Sequence, residues 1–298
     1  MPARSPYADK LAAIPTRRRE VDVLGSTTRY WVYGPEDAET TVVVVHGYRG
    51  EHHGLEPVIA QMPGIRFLSP DLPAFGESTP LVGTPHSIDG YAAWLAGFLD
   101  ALALEKPPVV LGHSFGSIVA SSAVADHGVA TPALVLVNPI AMSGIGGPRK
   151  VAAAVTVGYY SLAGRLPERL GSLLLDNAAI VRVMSLTLVK TKDRALRRWI
   201  HEEHARFFSR FASRDTVLEG FHASISTDVS AFAPRIRIPT LLVAARLDDI
   251  TPVSAQFDLQ RMMTDATLEI LEDVGHLIHY EVPELAAAAI ARFLDRVL

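Results

Sequence analysis

Hydrophobic and polar positions along the chain alternate between two periods. Short β-branched runs come first, "REVDVLG", "TTRYWVYG" and "TTVVVVHG", separated by glycine and by the turn signal "PEDA", and they predict three strands. "IRFLSPDLP" and "PPVVLGHS" predict two more. Between them, "SIDGYAAWLAGFLDALAL" repeats Ile88, Tyr91, Leu95, Phe98, Leu99 and Leu102 at helical spacing. "ALVLVNP" predicts the next strand, after which the pattern changes. Residues 140 to about 234 hold no comparable strand and read as helices, among them "DRALRRWIHEEHARFFSRF" with Leu196, Ile200, Phe207 and Phe211 on one stripe. Alternation then resumes: "IPTLLVAARLD" as strand, "PVSAQFDLQRMM" as helix, "TLEILEDVGH" as strand and "VPELAAAAIARFLDRVL" as the last helix. This order predicts an α/β fold, a mostly parallel doubly wound sheet covered on both faces. Residues 1–139 and 235–298 form the two parts of the core, and 140–234 form an inserted helical cap.

Composition narrows the possibilities. A chain of 298 residues, 49% hydrophobic, is enough for one large core. Its net charge of −4 supplies no basic field for nucleic acid, and no nucleic-acid partner is expected. The absence of cysteine excludes disulfides, cysteine-ligated metal and a thiol nucleophile. The opening "MPARSPYADKLAAIPTRRRE" has no apolar signal-peptide core, so a cytoplasmic location is expected; Arg17, Arg18 and Arg19 read as a solvated stretch. "VAAAVTVGYYSLAG", between Lys150 and Arg165, falls short of the ~20 residues that cross a bilayer and predicts a buried or pocket-lining helix, with no membrane partner. Charge is uneven: residues 140–234 carry 13 Lys and Arg against 8 Asp and Glu, leaving −9 for the remainder. Exposed helix faces account for this simply; a functional reading is that a cationic cap draws substrates bearing a carboxylate.

The candidate chemistry centres on "VVLGHSFGS", where Ser114 stands between Gly112 and Gly116. Ligands gather at the carboxyl ends of parallel strands, and Ser114 ends such a strand. A sharp turn from strand to helix leaves no room for side chains two residues before and after its centre, which explains both glycines. The following helix, "FGSIVASSAVADH", is rich in small residues and aims free amides at the turn, where an anionic intermediate would be stabilised.

In that setting, "VVVVHGYRG", "PDLPAFGES", "GHSFGS" and the pair "ARLDDITP" and "EDVGHLIHYEVPE", in this order, resemble the α/β-hydrolase family from about residue 20 onward. The likeness is to its serine-nucleophile branch with a helical cap. Ser117 departs from the pattern, standing where many members have a second glycine. The family order of Ser, then acid, then His implies a base well after Ser114, and of eleven histidines the resemblance selects His276. His279 is the near rival, read instead as packing or as a partner of Glu281. His201, His204 and His222 lie in the insertion and read as helix surface or pocket lining. The resemblance places the acid four residues before proline, at Asp248, with Asp249 a turn residue. Some members carry the acid after the preceding strand, but that position holds Asn138, which has no charge to supply.

The resemblance also implies an oxyanion hole made by the backbone amides of Tyr48 and Phe115. "EHHG" raises metal binding through His52 and His53, but adjacent residues rarely face one ion, and these read as loop or helix-start surface; no metal or cofactor is expected. Gly76 in "DLPAFGES" reads as the residue that permits a bend. The expected activity is a cofactor-independent serine hydrolase, carboxylesterase-like, acting on an ester or similar small carbonyl substrate. Serine at position 114 disfavours epoxide hydrolases and haloalkane dehalogenases, which use aspartate. Carbon-carbon bond hydrolysis of the aromatic-degradation type is the main alternative, weakened by His113 where many such enzymes have Asn. A slow-turnover ligand-binding protein is the other.

Overall fold

The computed structural model describes residues 4–142 and 150–298, with backbone alone at 150–152. The chain runs α1 (Ala8–Ala12), β1 (Thr16–Val23), β2 (Ser26–Tyr33), β3 (Thr41–Val45), α2 (Glu56–Ile59), β4 (Arg66–Pro70), α3 (Ile88–Leu102), β5 (Val109–His113), α4 (Phe115–Asp126) and β6 (Leu134–Val137). Five helices follow: α5 (Lys150–Arg165), α6 (Glu168–Leu175), α7 (Ala178–Leu188), α8 (Arg194–Phe207) and α9 (Arg214–Ser226). The core resumes with β7 (Thr240–Ala245), α10 (Val253–Met262), β8 (Ala266–Leu271), α11 (Ile278–Glu281) and α12 (Pro283–Val297). Residues 143–149, the start of the expected insertion, lie outside the described residues.

The eight strands form one sheet in the order β1-β2-β4-β3-β5-β6-β7-β8. β1 with β2 and β2 with β4 pair antiparallel, and every later neighbour pairs parallel. The chain leaves β3 for β4 on one side and reaches β5 on the other, so the loops after β3 and β5 diverge and open a crevice at the carboxyl ends. β3, β5, β6 and β7 are buried almost throughout, as continuous apolar runs demand of strands covered on both faces. One core lies under α3 and α4, with Trp94, Phe98 and Ile118; the other lies under α12, with Ile290 and Phe293.

The helical stripe of α3 is as expected, with Ile88, Tyr91, Leu95 and Phe98 buried and Ser87 capping the first turn by accepting from Gly90 N–H. The stripe drawn through α8 is too long. The helix ends at Phe207, and Phe211 instead pairs its backbone with Phe75, part of a seam where Gly76 N–H donates to Arg210 and Ala212 N–H donates to Ala74. The membrane reading also shifts. Among the described residues, Glu168–Leu188, 21 residues, is long and apolar enough by length and composition to cross a membrane, with 22% of its apolar window buried. It breaks at Asp176 and Asn177, where the Asn177 side chain caps α7.

Candidate active site

Ser114 has φ +53° and ψ −118°, a conformation L-residues rarely hold, and it directly precedes α4. The flanking glycines are sterically required. A Cβ on Gly112 would stand 2.4 Å from Gly116 O, and one on Gly116 would stand 2.1 Å from Val45 O. Either side chain would push α4 off β5 or off β3. Ser117 has a role that glycine lacks: its Oγ donates to Ser114 O and accepts from Ile140 N–H, tying the turn to the chain beyond β6.

The expected nucleophile, base and acid converge. Ser114 Oγ lies 2.8 Å from His276 Nε2, and His276 Nδ1 lies 2.8 Å from Asp248 Oδ2. Nδ1–H donating to the carboxylate leaves Nε2 free to accept the serine proton. Asp248 is fixed by three more donors, Ile250 N–H and Thr251 N–H to Oδ1 and Asn138 Nδ2 to Oδ2. Burial opposes its charge, but His276 and these amides hold its carboxyl below the usual range.

Tyr48 and Phe115 flank the serine as expected. A Cβ on Gly47 would be 3.3 Å from Ser114 Cβ, so the loop carrying Tyr48 lies directly against the nucleophile. Phe115 opens α4, where amides have no intrahelical acceptor. His46 holds the loop by donating Nδ1–H to Gly47 O at 2.8 Å and accepting Leu72 N–H on Nε2 at 2.8 Å. The Tyr48 hydroxyl donates to Val217 O in α9.

Arg49, quoted within "VVVVHGYRG" but given no role by the sequence, is a central residue of this loop. It is 2% exposed, has φ +58°, and stacks over Phe208 with its guanidinium carbon 4.6 Å from the ring centroid. Its guanidinium donates to Phe208 O at 3.1 Å and Leu175 O at 2.8 Å, with longer contacts to Tyr160 and Ser209. The four partners lie in α5, in α6 and just beyond α8. A charged residue in a glycine-containing turn hints at a special role, but backbone carbonyls more than a hundred residues away leave no mark in sequence.

One histidine reading needs correction: His52 is not surface, whereas the His53 side chain keeps 26% exposure. His52 is 1% exposed, stacks on Trp31 at 3.3 Å and meets Asp71 Oδ1 at 2.8 Å; His53 bonds Glu51 and stacks on Phe207. Asp71 is buried, which raises its pKa to about 6, and a Cβ on Gly76, at φ +56°, would strike it. Ligand atoms of Glu51, His52 and His53 lie within 4.8 Å of one another, so adjacency does not keep them apart. Each nevertheless has a partner in this network, and Arg210 stands 3.7 Å from Glu51. His279 does not pair with Glu281, whose carboxylate accepts Lys190 and Thr191 N–H; it packs on His113 at 4.1 Å. Asp249 sits in the predicted bend and also pairs with Lys190. His201 and His204 are buried, both meeting Ser185 Oγ, while His222 is exposed.

A cavity of about 670 Å³ lies over the serine, of a size that takes a small-molecule ligand. Its wall joins Ser114, His276, Tyr48 and Phe115 to Met184 and Leu188 of α7, Phe207 of α8 and Phe221 of α9, and includes Val157 of α5 as expected of that helix.

Residues 42–289 match the model of a family described as the alpha/beta hydrolase family. A 2-hydroxy-6-oxononadienedioate/2-hydroxy-6-oxononatrienedioate hydrolase of Klebsiella pneumoniae is 25% identical across 97% of this chain and 99% of its own. A putative carbamate hydrolase RutD of Caulobacter is 26% identical across 88% of this chain and 93% of its own. Among solved structures, the enol-lactonase of Burkholderia xenovorans superposes with TM-score 0.76 at 18% identity, covering 93% of this chain and 100% of that one. An esterase of Thermogutta terrifontis gives TM-score 0.73 at 19% identity, covering 94% and 99%.

Proposed function

Because the chain belongs to the alpha/beta hydrolase family, we propose that it is a serine hydrolase that cleaves a carboxylic ester or similar small carbonyl compound, using Ser114, His276 and Asp248. The observation that carries this reading is the unbroken line of hydrogen bonds from Ser114 Oγ through the imidazole of His276 to Asp248, beside a largely apolar cavity. Ser114 Oγ attacks the carbonyl carbon as its proton passes to His276 Nε2, and Asp248 stabilises the imidazolium that results. The oxyanion settles on the amides of Tyr48 and Phe115, each worth ~3 kcal/mol in the transition state. Collapse expels the leaving group, which takes the proton from His276, and leaves an acyl-serine. Water, deprotonated by the same imidazole, then releases the acid. Residues 140–234 act as the cap that shapes the acyl pocket.

The test is hydrolysis of p-nitrophenyl acetate, butyrate and octanoate by wild type and Ser114→Ala. Cleavage lost in the variant supports the reading, and the chain-length profile sizes the pocket. A second reading, carbon-carbon bond hydrolysis, is favoured by the names of relatives such as the Klebsiella pneumoniae and Pseudomonas putida oxononadienedioate hydrolases. Serine-dependent consumption of that dicarboxylate, with the three esters untouched, would decide for it.

A further inference from the structure

The cationic stretch 140–234 predicts a pocket that welcomes carboxylates, but none of its described arginines is in the pocket wall. Arg182, Arg194, Arg197 and Arg198 line a separate depression between α7 and α8 that shares no lining residue with the cavity over Ser114. The wall of that cavity carries Glu51 and Glu203 in addition to Asp248 and Asp249. Glu51 is 1% exposed, with Oε1 on His53 and Oε2 in an ion pair with Arg210 at 3.7 Å, beyond hydrogen-bond distance. Glu203 is half-buried; burial, with the charges of Glu56 and Glu51, raises its pKa, against the lowering pull of His53 and Arg206. Arg206 and Arg210, whose charges bear on these two carboxylates, are exposed and lie outside the lining.

Among the described residues, the Lys or Arg side chain in the wall is that of Arg49, and its nitrogens are taken up by Phe208 O, Leu175 O, Tyr160 and Ser209. The other candidates for positive charge are imidazoles: His276, already bonded to Ser114 and Asp248, and His46, His113, His204 and His279. Burial lowers the pKa of His46. Burial lowers His113 to about 3 and His204 to about 4 and puts His279 well below the usual range, so all three are neutral at pH 7. Much of the remaining wall is apolar: Ile140, Met142, Val157, Leu188, Phe221 and Ile225. A substrate carboxylate entering here would lose water, meet like charge and find the guanidinium of Arg49 already bonded to carbonyls and hydroxyls.

Building on the serine-hydrolase reading, we infer that the site takes uncharged carbonyl substrates with an apolar acyl part and rejects those with a free carboxylate, with Glu51 and Glu203 setting the discrimination. Three p-nitrophenyl esters of equal acyl length test this: caproate (neutral), the adipate half-ester (terminal carboxylate) and ε-aminocaproate (terminal ammonium). The expected order of kcat/KM is caproate, then aminocaproate, then adipate, with caproate ahead of adipate by about tenfold or more. Glu203→Gln narrows the ratio of caproate to adipate. Adipate cleaved as fast as caproate, or equal penalties on the two charged esters, overturns the inference. If none is cleaved in a Ser114-dependent way, the hydrolase reading fails, and calorimetric binding to Ser114→Ala still decides the charge preference. Tighter binding of hexanamide than of adipic monoamide supports it, and the reverse order sinks it.

Discussion

Asn138 donates its side-chain amide to Asp248 Oδ2 at 3.1 Å, and the same oxygen lies 2.8 Å from His276 Nδ1. The position after β6, where some family members carry the acid, thus holds an amide that solvates the acid contributed after β7. The two positions share one oxygen, so charge should be transferable between them. Asp248→Asn is expected to lower kcat by about 10⁴-fold through loss of the imidazolium's partner. Adding Asn138→Asp should recover part of that loss, read in steady-state ester hydrolysis. A double variant no faster than Asp248→Asn would place position 138 out of reach of the imidazole.

Strain at Ser114 gives a prediction about stability. Ala keeps the cost of φ +53°, whereas Gly holds that conformation freely but loses more chain entropy on folding. Ser114→Gly should therefore be more stable than Ser114→Ala by about 1 kcal/mol, both being inactive. Equal thermal midpoints would mean that the turn is not strained.

The site was legible in sequence to the extent that its parts are local. Gly112, Ser114 and Gly116 fall within five residues and obey one steric rule, and the alternation of periods located the strands whose carboxyl ends carry the serine, Asp248 and His276. Burial of polar residues was not legible. His52 looks like surface in "EHHG" and becomes interior only because Trp31 of β2 and Asp71, just after β4, complete its surroundings.

Arg49 should prove sensitive to shape as well as charge. Lys retains the charge but cannot hold the carbonyls of Leu175 and Phe208 in a planar fork. Arg49→Lys is expected to lower kcat/KM by about ten- to a hundredfold, mainly in kcat, because the adjacent amide of Tyr48 shifts. Wild-type kcat in this variant would leave Arg49 with a purely structural part.

Acid should destabilise the fold early. His113 and His204 are held neutral in the folded protein, at about 3 and about 4, while unfolded chains take up the proton near the ordinary 6.5. Below that value the unfolded state binds more protons. Stability is therefore complete above about pH 6.5 and falls with acidification, by up to about 1.4 kcal/mol per pH unit for each histidine. Urea midpoints measured from about pH 7.5 down to pH 5 should show the slope, and His113→Asn should flatten it; an unchanged slope in that variant would remove His113 from the account.

The bonds from Arg49 run into α6 and the chain just beyond α8. Lifting the roof over the cavity means breaking those bonds, which frees the loop that presents the Tyr48 amide. The wall over the cavity and the loop beside the serine thus form one mechanical unit, in which a shift of either is felt by the other.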